Sequence, residues 1–202
     1  MSMINSGQVC AALKRLYVHE DIYDELCQAL VVLADGVKVG NGLDEVDFGP
    51  IQNKAQLDIV CDLAADAKSQ GAKFLTGGEP MPGKGCFYPI TLVTNITNGS
   101  RLVDEEPFGP ILPIVKYKDI DEAINLANDS SCGLGGSIWS RDINKAKALA
   151  KTLECGTAWI NGHAMVQPNA PFGGIKNSGL GVEFGTYGLS EYTSIQTIIT
   201  NK

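Results

Sequence analysis

The sequence predicts an α/β fold of three layers, with helices on both faces of a mostly parallel sheet. Three observations carry that expectation. Strand and helix patterns alternate, most regularly over residues 111–161. The strand runs are apolar at consecutive positions, so both of their faces are buried. Capping residues and glycines punctuate the pattern at helix-length intervals.

Residues 15–18 read as a short strand. A helix follows from about Asp21, with Ile22, Leu26, Leu30 and Leu33 on one face and Gly36 at its end. Gly40, Gly42, Gly49 and Pro50 mark a loop. Asn53 and Gln56 have the spacing of a capping box, opening a helix with Leu57, Val60, Cys61 and Ala64 along one side. Gly71 stops that helix, Phe74 and Leu75 begin a strand, and residues 77–85 form a Gly- and Pro-rich surface loop. Residues 87–96 favour β structure, with Pro89 weakening the start. Residues 111–117 read as an apolar strand interrupted by Pro113. Asp119 and Glu122 open a helix carrying Ala123, Ile124 and Ala127, and residues 134–139 form the next strand. Asp142 caps a helix whose Ile143, Ala146, Leu149 and Leu153 face inward; Gly156 ends it, and residues 157–161 are a strand. Residues 192–200 are β-rich and read as an edge strand. Ligands of such sheets gather beyond the carboxyl ends of the strands. That directs attention to the loop after Asn161 and to the glycine-rich loop after Phe172.

The chain of 202 residues is 44% apolar and 19% charged, as in a soluble globular protein with a sizeable core. A formal net charge of -7, with no basic run, argues against a nucleic-acid partner. The longest apolar cluster, residues 29–34, is too short to span a membrane, and the start lacks the features of a signal peptide. The six cysteines form no CxxC pair and only two histidines are present, so no metal site is expected. Free thiols in such a chain point to a reducing compartment, most simply the cytoplasm.

Three strings carry chemistry. The first is Asn5-Ser6-Gly7-Gln8-Val9-Cys10-Ala11-Ala12, in which a glycine and small neighbours leave room around a thiol. Such a thiol is a nucleophile only as thiolate. Burial as a small hydrophobe is the commoner state of any one cysteine. The second string is Glu105-Glu106-Pro107-Phe108-Gly109-Pro110, and the third is Pro171-Phe172-Gly173-Gly174-Ile175-Lys176-Asn177-Ser178-Gly179. The glycine run 173–181 lacks the Gly-Lys-Ser/Thr step of a phosphate loop.

In this order and at these separations, the three strings resemble the NAD(P)-dependent aldehyde dehydrogenase family. The resemblance extends to the tail Tyr187-Gly188-Leu189-Ser190-Glu191-Tyr192-Thr193 and covers nearly the whole chain. It implies the fold of that family's catalytic domain, here its carboxyl-terminal part. Residues 1–189 would form the catalytic thiol domain, and 190–202 an oligomerisation strand pairing across a homo-oligomer interface.

By the same resemblance Cys10 attacks a small aldehyde, Glu106 holds the nicotinamide ribose of NAD or NADP, and Phe108 packs beside the nicotinamide. Gln56 would contact the cofactor ribose, though it is also the natural capping-box partner of Asn53. Asn161, His163, Val166 and Phe172 would line the aldehyde's path, with His163 read more simply as a surface loop residue. Val182 stands where the family often has an arginine, which puts local packing in doubt. No arginine lies within the Cys10 or His163 strings, so a neutral or broad range of aldehydes is favoured.

Measured against that family, the dinucleotide-binding segment, the glutamate that serves as general base and an oxyanion-binding asparagine have no counterpart here. Isolated, the chain is expected to bind cofactor weakly or not at all and to be inactive. Two rivals stand beside this reading: a semialdehyde dehydrogenase that hands its acyl group to coenzyme A, and a non-catalytic oligomerisation module.

Overall fold

The computed structural model describes residues 1–201, so the last position of the expected tail, Lys202, lies outside the described residues. Compactness divides the chain into two units, one of residues 1–127 and one beginning at Asn128.

The first unit runs β1 (Leu16–His19), α1 (Glu20–Asp35), α2 (Lys54–Ser69), β2 (Lys73–Thr76), β3 (Thr91–Thr94), α3 (Arg101–Asp104), β4 (Ile111–Tyr117) and α4 (Ile120–Asn128). Its sheet has the order β1-β4-β3-β2. The β1–β4 and β3–β4 pairs are parallel, and β2 joins the edge antiparallel to β3. Adjacent residues of the central strands point to opposite faces, and each face has its own core. Leu92, Leu112 and Ile114 pack with Val18, Tyr23 and Cys27 under α1. Val93 and Ile111 pack with Val60, Leu63, Ala67 and Leu102 under α2 and α3. Burying each such aliphatic side chain stabilises the fold by about 1.5–3 kcal/mol before entropy is counted. Pro113 is tolerated inside β4 where the ladder changes partner: β3 pairs with residues up to Pro113, and β1 pairs from Ile114 onward.

The helix starts follow the caps read from the sequence. The Asn53 carboxamide accepts the Gln56 N–H at 2.9 Å, Asp119 accepts from Asp121 and Glu122, and Asp142 accepts from Asn144 and Lys145. Two helix faces differ from expectation. In α1 the buried residues are Tyr23 and Cys27, while Ile22 and Leu33 are exposed. Leu26 and Leu30 pack against the same core as expected, and the Tyr23 hydroxyl donates to the Ile114 carbonyl at 2.9 Å. Ile143, in the first turn of its helix, is exposed as well. The strand expected over residues 87–96 is confined to β3. Pro89 lies before it, and Asn95 leaves the sheet in the left-handed region (φ 53°) with its amide on the Gly71 carbonyl.

The second unit contains β5 (Cys132–Gly133), β6 (Gly135–Ile138), α5 (Ile143–Ala150), β7 (Thr157–Ile160), β8 (Phe172–Gly173), β9 (Ile175–Lys176), β10 (Val182–Glu183) and α6 (Gly185–Ser190). β6 and β7 are parallel, whereas β5–β9 and β8–β10 are short antiparallel ladders. Residues 191–201 form no strand within the described residues, and Ile195, Ile198 and Ile199 are exposed. Among the described residues no helix is long and apolar enough to cross a membrane.

Candidate active site

Cys10 is exposed, in a turn closed by the Ala12 N–H on the Val9 carbonyl at 3.0 Å. The chain enters that turn through three consecutive left-handed residues, Asn5 (φ 50°), Ser6 (φ 55°) and Gly7 (φ 75°). Each non-glycine residue in that region costs about 1–2 kcal/mol, so specific bonds must hold it there. The Ser6 hydroxyl donates to the Gly49 carbonyl at 2.8 Å. The Gln8 carboxamide donates to the Asn5 carbonyl at 3.0 Å and accepts the Gln52 N–H at 2.8 Å. Gly7 lies against the backbone of Gly109 and Pro110, and Gly109 in turn lies against Val60 of α2; a Cβ at either glycine would collide. The cysteine string and the Phe-Gly-Pro string thus cross backbone to backbone, which accounts for a glycine in each.

Glu106 and Phe108 sit in the segment that leads into β4. Because β1 and β4 are parallel, the Cys10 turn before β1 and the Glu106 segment before β4 meet at the amino ends of these strands. This differs from the carboxyl-edge placement that the fold class suggests. A cleft of about 710 Å³ is lined by Thr94, residues 95–100 and Lys116, and by none of the expected site residues. Its position beyond β3 and β4 is where the general rule would have placed a ligand.

The two adjacent glutamates are distinguished by their partners. Glu105 is hydrogen-bonded to Arg101, which holds its carboxyl below the usual range. Arg101 also reaches Asp62 at 2.9 Å, so this pair is a surface clasp between α3 and α2. Glu106 faces the other way, where Oε1 lies 3.0 Å from the Lys14 ammonium with its side chain 41% exposed. Lys14 also donates to the Val9 and Cys10 carbonyls at 3.0 and 3.3 Å, and stands 3.8 Å above the centre of the Phe108 ring. Sequence reasoning missed Lys14. Its only signal was a basic residue four positions after the thiol, and that spacing means nothing until the turn is known.

Gln56 fills half of the capping role read for it and takes on a second contact that was not read. Its N–H completes the Asn53 cap, but its carboxamide donates to the Pro107 carbonyl at 2.7 Å and does not return to Asn53. It braces the Glu106–Phe108 segment against the start of α2. Cys10, Gln56, Glu106 and Phe108 all belong to the first unit.

Asn161, Val166 and Phe172 belong to the second. Asn161 (φ 53°) exchanges two hydrogen bonds with the Ser140 backbone, at 2.8 and 2.9 Å, which occupies its amide at the ends of β6 and β7. Val166 and Phe172 border a small cleft of about 160 Å³ with Thr157, Trp159, Met165 and Pro171. His163, read as a surface residue, is instead buried. Its Nδ1 is 3.1 Å from the Ser137 hydroxyl and its ring stands edge-on to Trp159 at 5.0 Å. A planar, half-polar ring fills a gap there that the loop's sequence does not reveal. Among the described residues no group of three or more His, Cys, Asp or Glu is placed to hold a metal ion.

Burial pushes the Cys27, Cys61 and Cys155 thiols up from their ordinary value. Cys155 lies in the turn between α5 and β7 and not on a helix.

The aldehyde dehydrogenase family model matches residues 1–198. An aldehyde dehydrogenase of Paenarthrobacter nicotinovorans is 41% identical over 198 residues, which is 98% of this chain and 43% of that protein. Aldehyde dehydrogenase 1A1 of Oryctolagus cuniculus is 40% identical over 195 residues, 96% of this chain and 39% of its own length. Among solved structures, the NAD+ complex of the Bacillus cereus aldehyde dehydrogenase superposes with a TM-score of 0.94 at 38% identity, covering 98% of this chain and 41% of that one. A betaine aldehyde dehydrogenase from Staphylococcus aureus, in complex with NAD+ and with a modified cysteine, gives 0.88 at 39% identity, covering 93% and 39%. The chain spans about two fifths of the length of these relatives. Extending over nearly all of its residues, these matches show that the chain belongs to the aldehyde dehydrogenase family.

Proposed function

We propose that this chain is the catalytic part of a longer NAD(P)-dependent aldehyde dehydrogenase that oxidises an aldehyde to a carboxylic acid through Cys10. The observation that carries the reading is the convergence of the exposed Cys10 turn with Glu106 and Phe108 at one edge of the sheet, held by Gly7 on Gly109 and by Lys14.

The Cys10 sulfur attacks the aldehyde carbon, and the carbonyl electrons move to oxygen. The Cys10 N–H donates to no acceptor among the described residues, so it is available to that oxyanion. NAD(P), when bound, supplies the hydride acceptor that turns the thiohemiacetal on Cys10 into a thioester. The residues present fit its nicotinamide–ribose end. Glu106 offers a half-exposed carboxylate to paired hydroxyls, and Phe108 offers a ring beside it. Gln56 braces that segment through the Pro107 carbonyl. Hydrolysis of the thioester needs a base to activate water. The family resemblance puts that base in a part of the enzyme outside this chain, along with the phosphate-binding loop for the rest of the dinucleotide. The 202-residue chain alone is therefore inactive in this reading.

Assay of the full-length protein with an aldehyde and NAD, with and without coenzyme A, is the test. The proposal expects NADH and free acid in both arms. NADH formation that requires coenzyme A would replace it with the acylating reaction, and no NADH in either arm would favour an assembly module.

A further inference from the structure

We propose that Lys14 is a positioning residue that holds the Glu106 carboxylate and the Cys10 turn in one frame for cofactor binding; this rests on the dehydrogenase reading above. An ammonium group has three N–H donors. At Lys14 they match three acceptors, the Val9 carbonyl at 3.0 Å, the Cys10 carbonyl at 3.3 Å and Glu106 Oε1 at 3.0 Å. The Phe108 ring, 3.8 Å away at its centre, takes a further face of the cation. The Lys14 side chain is only 13% exposed, so the charge is largely withdrawn from water and depends on those partners.

The position of this knot in the fold gives it a purpose. The β1–β4 ladder begins only at Leu16 and Ile114. Ahead of it, the Cys10 turn and the Glu106 segment are not tied by strand pairing. Gly7 against Gly109 fixes the approach of the two backbones, but a glycine contact cannot orient a carboxylate. Gln56 fixes the Pro107 carbonyl, again a backbone group. Lys14 is the side chain that joins the nucleophile's turn to both side chains that the proposed function assigns to the nicotinamide end. It acts on one carboxylate oxygen, and the 41% exposure of Glu106 leaves that group reachable by a ribose.

The test is binding, not turnover. NADH fluorescence titration of the full-length protein is made on wild type, Lys14→Met, Glu106→Gln and the double variant. Loss of one charge-assisted bond corresponds to about a ten-fold weaker Kd. Each single variant is expected to show such a loss, and the double variant no more than either alone, because both changes break one link. Lys14→Arg, which keeps a cation beside Glu106, is expected to recover most of the affinity. Thermal melting identifies misfolded variants, and Lys14→Gln substitutes for Lys14→Met if that variant does not fold. A wild-type Kd in Lys14→Met, or losses that multiply in the double variant, overturns the role of Lys14 and leaves the dehydrogenase reading standing. Failure of the wild-type protein to bind NADH overturns that reading and this proposal with it.

Discussion

Cys10 is the exposed thiol in a chain whose Cys27, Cys61 and Cys155 have their thiols pushed up by burial. Thiolate population and access together set the rate of alkylation. Limited iodoacetamide treatment of the full-length protein, followed by peptide mapping, is expected to label Cys10 first, with activity lost in step. Activity lost while Cys10 stays unmodified would remove it as the nucleophile. Tyr88 allows a separate test of the core. Its hydroxyl is buried without a partner among the described residues, and burial pushes its pKa up. An unsatisfied buried hydroxyl costs about 1–3 kcal/mol, so Tyr88→Phe is expected to raise stability by about 1 kcal/mol in urea denaturation. A loss of that size would mean that the hydroxyl has a partner in the assembled protein. Cys10, Glu106 and Phe108 were legible as a set because glycine and proline surround them in distinctive strings. Lys14 was not, because its partners are two carbonyls, a carboxylate and a ring drawn from segments about 90 residues apart, and nothing in its own neighbourhood announces them.

Secondary structure elements were read well where a local signal fixes them. Asn53, Asp119 and Asp142 cap helices because a short side-chain acceptor within three residues of free N–H groups is a local event. The inward face of α1 was read in part: Leu26 and Leu30 pack against the core, but Tyr23, which bonds the distant Ile114 carbonyl, was not found by a count of apolar residues along the helix. The edge at which the Cys10 turn and the Glu106 segment meet escaped for a similar reason. The general rule favours carboxyl ends, but here both segments precede their strands. The tail is a different case. Residues 192–200 are rich in β formers, and Ile195, Ile198 and Ile199 are exposed with no strand partner within the described residues. Such a segment is a template for pairing with a second chain. Deleting residues 192–202 from the full-length protein is expected to lower its oligomeric order in light scattering, and an unchanged oligomer would reject that role.

At the level of the whole chain, the three-layer expectation holds in the first unit, where two separate cores flank a mostly parallel sheet. Alternation and apolar strand runs carried that much, since burial on both faces is written into consecutive apolar residues such as Leu92–Val93 and Ile111–Leu112. The division after Ala127 was not foreseen, because α4 continues across it and no composition shift marks it. The chain spans about two fifths of its relatives' length, and in the proposed reading Cys10 is its nucleophile, Glu106 its carboxylate for the ribose and Lys14 the side chain that joins them. Chemistry in this reading is completed by parts outside it. The decisive measurement is NADH formation from an aldehyde and NAD by the full-length protein, compared with its Cys10→Ala variant. Loss of the nucleophile is expected to lower turnover by at least about 10³-fold with NADH binding retained. A Cys10→Ala protein that turns over at the wild-type rate would contradict the assignment of Cys10 as the residue that attacks the aldehyde.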